Sequence, residues 1–130
     1  MGGGIALQAA LRSKRRYAGV FALSSYLCDN AAVYQRLAAA QDRLKIAASD
    51  DEDAALLALS VFMRHGAADK FILPAWGEAT ATQLAALGLN VNAGMVPGLA
   101  HDMADGEVEE LTAWLLQILT GDVMVSREEL

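Results

Sequence analysis

Two residues, Asp69 and His101, are of types that carry out acid–base chemistry, and each follows an apolar segment at the point where it gives way to a loop. In an open α/β sheet, chemistry takes place just beyond the carboxyl ends of the strands. A carboxylate that accepts the Nδ1–H of a histidine fixes its tautomer and stabilises the imidazolium that forms when the ring takes up a proton. The sequence therefore predicts an Asp69–His101 pair, with an ordinary turn or cap role for Asp69 as the alternative.

An acid–base pair of this kind needs a nucleophile, and the chain offers Ser24, Ser25 and Cys28 near the end of one apolar segment. None of them is on a turn that opens directly onto a helix N-terminus, the geometry that exposes a nucleophile beside oxyanion donors. We therefore expect none of the three to act as the nucleophile. The other histidine, His65, and the scattered acidic residues do not make up a metal-ligand set, so we predict no metal and no cofactor.

The elements that must position these residues alternate between strands and helices. Apolar runs predict buried strands over residues 18–23 and 57–63, and a less apolar run predicts a third strand over 89–96, nearer the sheet edge. Stretches rich in helix formers predict helices over residues 5–12, 31–45, 74–87 and 105–121. This alternation is typical of an α/β fold with three layers, in which helices flank a parallel sheet. Parallel strands place the loops that carry Asp69 and His101 at the same end of the sheet.

Three local patterns complete this interpretation. We expect His65-Gly66 to end the second strand, because glycine lets the backbone turn sharply. Residues 49–53 predict a solvated acidic loop, since the spacing lacks the glycine and distal Glu of a calcium loop. We expect Asp105 to cap the last helix. One face of that helix should pack on the sheet through Val108, Leu111, Leu115, Ile118 and Leu119.

Length and charge limit the classes of function. The 130 residues are enough for one domain, and the net charge of −6 argues against nucleic acid or anionic membrane as the main partner. No run of about 18 apolar residues is present, so we expect no stable membrane insertion. The single cysteine, Cys28, excludes an intramolecular disulfide and is typical of a cytoplasmic protein.

Several motifs together resemble the C-terminal part of the phospholipase/carboxylesterase family of α/β-hydrolases, which includes acyl-protein thioesterases and lysophospholipases. The resemblance extends over residues 1–121, apart from an insertion at 30–53, and leaves 122–130 as a flexible tail. The motifs that carry it are Gly2-Gly3-Gly4-Ile5-Ala6-Leu7, Gly19-Val20-Phe21-Ala22-Leu23-Ser24, His65-Gly66-Ala67-Ala68-Asp69 with Leu73-Pro74, and Gly98-Leu99-Ala100-His101 with Trp114-Leu115.

The resemblance implies a serine hydrolase of carboxylic esters or thioesters, acting on a lipid or an acylated protein. It implies that Asp69 is the acid and His101 the base of a Ser-Asp-His triad. Gly2 would be the last glycine of the nucleophile turn, and the backbone N–H of Met1 would line the oxyanion hole. In the family pattern the serine directly precedes Met1, where this sequence has no residue.

This departure leads to further expectations. Met1 would be an internal methionine of a longer protein, and the chain alone would be inactive. The strand at 18–23 would lack a neighbour, and its open edge would promote self-association. Two other functions stay open: a non-catalytic remnant or interaction module with the same half-fold, and a doubly wound binding domain that uses Gly2–Gly4 for an anion.

Overall fold

A computed structural model describes residues 2–13, 15–46 and 51–120 of the chain. Met1, the segment 47–50 and the predicted tail 122–130 lie outside the described residues. None of the helices in the described part is long and apolar enough to cross a membrane. The elements run in the order α1 (Gly2–Arg12), β1 (Gly19–Leu23), α2 (Ala32–Ile46), α3 (Asp51–Leu57), β2 (Ser60–Gly66), α4 (Pro74–Ala86), β3 (Asn90–Val96) and α5 (Asp105–Thr120).

The three strands form one parallel sheet in the order β1-β2-β3, as the sequence predicts. Val20 pairs with Val61 and Val61 with Val91, so the apolar centres of the strands are in register. Successive side chains of a strand point to opposite faces, and helices cover both faces here. The predicted three-layer α/β architecture is confirmed.

One face of the sheet carries the main hydrophobic core. Val61 and Met63 of β2 are buried there, and the helices α1, α2, α3 and α4 all contribute side chains to the same cluster. The largest helical contributions come from Leu7, Leu11, Leu37 and Leu84, each of which is fully buried. The second half of β2 is therefore held between its neighbouring strands and a layer of helices, which fixes the direction in which the chain leaves the sheet.

The start of α1 packs unusually closely on the end of β1. A Cβ atom on Gly3 would lie 2.1 Å from Ser25 Oγ and 3.0 Å from the Cβ of Ala22. Glycine at this position therefore lets the helix backbone approach the strand. The helix begins at Gly2, three residues earlier than predicted.

The opposite face of the sheet is covered by α5. The rings of Phe62 and Trp114 pack with their centroids 5.4 Å apart, and Arg64 pairs with Glu110 at 2.7 Å. The predicted packing face of this helix is partly wrong, because Val108 and Leu119 are exposed. The side chains that turn inward are spaced by three and four residues: Glu107, Leu111, Trp114 and Ile118.

The start of α5 also differs from the prediction. Asp105 is the first helical residue and does not cap the helix. Instead Glu107 Oε1 accepts a hydrogen bond from the backbone N–H of Ala104, at 3.3 Å. A glutamate in the first helical turn that bonds back to the residue before the helix is half of a capping box. The hydrogen bond from Ala104 to Glu107 therefore holds the end of the loop that carries His101 against the first turn of α5.

The segment before β2 corrects a second prediction. Residues 51–57 form a helix, so the strand begins at Ser60 and not at residue 57, and the acidic stretch is not wholly a solvated loop. Asp53 is buried and accepts two hydrogen bonds from Arg43 of α2, at 2.7 and 2.8 Å. This bidentate pair joins residues from two helices, whose juxtaposition local sequence does not reveal.

Candidate active site

Asp69 lies in the loop that follows β2, and its side chain is completely buried. One carboxylate oxygen, Oδ1, accepts hydrogen bonds from the backbone N–H groups of Phe71 and Ile72, at 2.9 and 3.0 Å. An aspartate that binds backbone groups two and three residues ahead folds the chain into a local turn. The turn role considered for Asp69 is thus real, and it leaves the second oxygen, Oδ2, free to contact other groups.

His101 lies in the loop that follows β3, and its imidazole reaches Asp69. Its Nδ1 atom is 2.8 Å from Asp69 Oδ2. The imidazole side chain is 39% exposed, and the ring of Phe71 contacts it edge-on, with 6.0 Å between centroids. The structure therefore brings the two predicted site residues together, with the carboxylate inside the protein and the imidazole at the surface.

The two loops meet because Gly66 has no side chain. A Cβ atom there would lie 2.2 Å from the carbonyl oxygen of Leu99 and 2.4 Å from that of Ala100. The backbone N–H of Ala68 donates to the carbonyl oxygen of Leu99, at 2.9 Å. The strand ends at Gly66, as expected from His65-Gly66, but it extends three residues beyond the predicted end at residue 63, because Gly66 still pairs with Val96 in the sheet. Glycine is needed at this point for close approach and not for a turn.

The electrostatics of Asp69 favour its ionised form. Burial raises the pKa of this carboxyl group, but hydrogen bonds from His101 and from the backbone of Ile72 and Phe71 outweigh that effect. The pKa of Asp69 is therefore below its ordinary value. A charged carboxylate that accepts the Nδ1–H of an imidazole leaves the other ring nitrogen, Nε2, as a proton acceptor. The pair has the arrangement of a general base and its orienting acid.

A second histidine belongs to the same cluster and was missed by the sequence analysis. His65 is buried in β2, with Nε2 at 2.7 Å from the carbonyl oxygen of Ile72 and 3.3 Å from Asp69 Oδ2. The expectation of a turn at His65-Gly66 hid this role, because it placed the histidine outside the strand. The alternation of Val61, Met63 and His65 in a longer strand could have indicated an inward-facing side chain.

The other residues considered for the site are placed elsewhere. Ser25 Oγ donates to the carbonyl oxygen of Leu23 at 2.9 Å, and Cys28 is an exposed free thiol. Ser24 is buried with a φ of 53°, a strained backbone conformation for this residue type, and no helix follows it directly. Within residues 2–13, 15–46 and 51–120, His101 has a side-chain hydrogen bond to Asp69 alone.

Gly2 is the first residue of α1, and Met1 lies outside the described residues. In the described part of the chain, no hydrogen bond of the Asp69 or His101 side chain involves Gly2. The same part of the chain holds no group of three or more histidine, cysteine or acidic residues that could bind a metal ion.

Comparison with known proteins finds similarity both by sequence and by structure. No protein-family model matches the chain. The chain is 34% identical over 122 residues to lysophospholipase-like protein 1 of Mus musculus, an alignment that covers 94% of the chain and 45% of the relative. Its structure matches Arabidopsis thaliana SOBER1 with a TM-score of 0.71 at 19% identity, covering 91% of this chain and 49% of that one.

A second structural match is Zea mays acyl-protein thioesterase 2, with a TM-score of 0.70 at 22% identity, covering 92% of this chain and 53% of the plant protein. The chain thus spans about half the length of each of these relatives. At these identities the structural matches establish a shared fold, while the mouse relative adds similarity of sequence along nearly the whole chain. The chain is thus similar to part of lysophospholipase-like protein 1 and shares the fold of SOBER1 and acyl-protein thioesterase 2, which confirms the predicted resemblance to part of a phospholipase/carboxylesterase-type α/β-hydrolase.

Proposed function

We propose that this chain is part of a serine hydrolase that cleaves carboxylic esters or thioesters, with Asp69 as the acid and His101 as the base of a Ser-Asp-His triad. The observation that carries the proposal is the 2.8 Å contact between His101 Nδ1 and the buried carboxylate of Asp69. The nucleophile would be a serine directly before Met1 in a longer polypeptide. The backbone of Met1 and Gly2 would then form the turn that holds it, with the Met1 amide as an oxyanion donor.

The proposed mechanism divides the work between a rigid acid and an accessible base. Asp69 keeps the proton of His101 on Nδ1, so that Nε2 takes the proton of the serine hydroxyl as the serine attacks the carbonyl carbon. The same carboxylate stabilises the imidazolium until its proton passes to the leaving group. Partial exposure of the imidazole supports this role, because the base must reach both serine and substrate.

We propose a substrate with an apolar acyl group, on a lipid or an acylated protein. Phe71 supports this class of substrate. Its side chain is 80% exposed and lies against the ring of His101. An apolar side chain next to the base provides a surface for an acyl chain to cover. The mouse relative is named lysophospholipase-like protein 1 and the maize protein acyl-protein thioesterase 2. Both names refer to enzymes whose substrates carry an acyl group, on a lipid or on a protein. We also propose a cytoplasmic location, which the exposed free thiol of Cys28 supports.

A non-catalytic interaction module is the second candidate. The observation that favours it is the lack of a hydroxyl or thiol group bonded to His101 in the described part of the chain. The Asp69–His101 pair then has nothing to activate.

Hydrolysis of p-nitrophenyl esters and of an acyl thioester tests these functions. We expect the 130-residue chain to hydrolyse them no faster than its His101→Ala variant, and a chain extended upstream to include the proposed serine to be active. Loss of a triad nucleophile leaves only about 10³–10⁴-fold catalysis over water, and that requires an intact oxyanion hole.

The extended chain also needs a control, which is its His101→Ala variant. This variant should lose activity and no longer react with a fluorophosphonate probe. An extended, folded chain without activity would favour the interaction module. Rapid turnover by the 130-residue chain that His101→Ala abolishes would instead place the nucleophile within it.

A further inference from the structure

We propose that His65 is a positioning residue for the Asp69–His101 pair, an inference that rests on the proposed function of that pair. Through its Nε2–H group it would hold the loop after β2 in the conformation that directs Asp69 Oδ2 at His101. In the described part of the chain the His65 ring bonds to the Ile72 carbonyl and lies near Asp69 Oδ2, so its effect on His101 would pass through the carboxylate.

The surroundings of Nε2 determine which ring nitrogen carries the proton. Nε2 is 2.7 Å from the carbonyl oxygen of Ile72 and 3.3 Å from Asp69 Oδ2. A carbonyl oxygen and a carboxylate oxygen are both acceptors, so Nε2 must be the donor. The short contact is the hydrogen bond, and the longer one adds electrostatic attraction to the charged oxygen.

This hydrogen bond closes a ring of contacts around the loop. Ile72 donates its N–H to Asp69 Oδ1 and accepts the Nε2–H of His65 at its carbonyl oxygen. Ile72 is therefore held on both sides of its backbone, once by the carboxylate that it orients and once by a side chain of β2. Since β2 lies in the middle of the sheet, the hydrogen bond from His65 ties the orientation of Asp69 to the central strand.

Packing alone does not explain the position of the His65 ring. On one side the ring is close to α4, where a Cβ atom on Gly77 would lie 2.7 Å from Nδ1. Beside it is an open-sided cavity of about 260 Å³, lined by His65 together with Met63, Ala81 and Met95. An apolar residue could fill this space without the cost of burying a polar ring. The hydrogen bond to the loop is what the imidazole provides and an apolar side chain would not.

The test compares two substitutions that differ in the donor. His65→Gln places an amide N–H near the position of Nε2, whereas His65→Met fills a similar volume and offers no donor. Because the chain contains two histidines, His101 is the sole histidine in either variant, and its ring nitrogens can be observed by ¹⁵N NMR without overlap. The samples are the 130-residue chain at a pH at which the ring is neutral.

We expect the unsubstituted protein and His65→Gln to keep the His101 proton on Nδ1. We expect His65→Met to lose that Nδ1–H signal and to show faster exchange of the Phe71 and Ile72 amide protons. A His65→Met variant that melts cooperatively and keeps both the signal and the slow exchange would overturn the proposal. So would a folded His65→Gln variant that loses the signal as completely as His65→Met.

A third variant covers the case in which His65→Met does not fold. Gly77→Ala leaves the donor in place but pushes a methyl group against the ring, and it should also weaken the His101 Nδ1–H signal; an unchanged signal in this folded variant would contradict the proposal. No substrate is present in any of these measurements. Failure to detect ester hydrolysis would therefore not affect their outcome, and a negative NMR result would leave the proposed triad standing.

Discussion

At the scale of single residues, the central feature is the number of groups that converge on one buried carboxylate. Asp69 contacts two backbone N–H groups, from Phe71 and Ile72, through Oδ1, and the two imidazoles of His65 and His101 through Oδ2. Charged acceptors form the stronger hydrogen bonds, and a buried charge is tolerated only when its partners are in place. The carboxylate thus organises its own loop as well as the neighbouring one.

Because the pKa of Asp69 is lowered in the folded protein, the free energy of unfolding should decrease as the pH becomes acidic. The carboxyl group of the unfolded chain takes up a proton near its ordinary pKa of 3.8, whereas that of the native protein does so only at lower pH. The stabilisation is therefore fully present above the unfolded pKa and is lost as the pH falls through the lower native one.

We expect this contribution to be absent from Asp69→Asn. In urea denaturation between neutral and acid pH, the unsubstituted protein should lose stability more steeply than Asp69→Asn as the pH falls. Asp102→Asn is the matched control, because Asp102 is exposed and its carboxylate accepts a hydrogen bond from the adjacent Met103 amide. Equal pH dependence of the unsubstituted protein and Asp69→Asn would contradict the assignment.

At the scale of elements, glycines decide which segments can touch. Gly66 brings the end of β2 against the loop after β3, and Gly19 brings β1 to within contact of Trp114 and Ile118 of α5. In both places the neighbouring atoms occupy the space of a side chain. The candidate site therefore depends on small residues in the strands as much as on its polar residues.

Gly66→Ala is expected to destabilise the protein and to separate Asp69 from His101. The added Cβ would meet backbone carbonyl oxygens, which cannot move away as a side chain would. Overpacking of this kind costs about 1–3 kcal/mol, measurable by urea denaturation. Gly106→Ala, in the first turn of α5, is the control, since no atom lies within 4 Å of its new Cβ and alanine favours a helix by about 1 kcal/mol. Gly66→Ala as stable as Gly106→Ala would show that the loops adjust freely.

The sequence predicts the elements well where local pattern determines them. Apolar runs identify all three strands, and the positions of Asp69 and His101 after two of them place both residues at one end of a parallel sheet. The errors occur where contacts between residues far apart in the sequence determine the bounds of an element. The Arg43–Asp53 pair draws residues 51–57 into a helix, and pairing with Val96 extends β2 through Gly66. The role of His65 depends on that extension, so it could not be inferred from the chain order alone.

At the scale of the whole molecule, the sheet has an open side. In the described part of the chain β1 pairs only with β2, so its outer backbone N–H and C=O groups have no strand beside them. Phe21, at the centre of β1, is 44% exposed. An apolar edge strand with unpaired backbone groups promotes association with another chain.

We expect the isolated chain to self-associate through β1. Phe21→Lys should raise the apparent dissociation constant by about tenfold, or about 1.4 kcal/mol, because a charged side chain on an edge strand opposes pairing. Sedimentation velocity over a range of concentrations measures this. Leu119→Lys, at an apolar residue of α5 that is even more exposed, should leave association unchanged. A chain that is monomeric at all concentrations would refute the expectation, as would equal effects of the two substitutions.

In the described part of the chain, the hydrogen bonds and ion-pair contacts that orient Asp69 and His101 come from residues 65–101, between the end of β2 and the loop after β3. The proposed acid and base, together with the residues that orient them, thus lie in one short, continuous stretch of polypeptide. A gene divided upstream of this stretch would separate the proposed nucleophile from the acid–base pair and leave the contacts of the pair intact. That is the arrangement on which split-enzyme complementation depends, since the second fragment has only to bring a hydroxyl group to an imidazole that is already oriented.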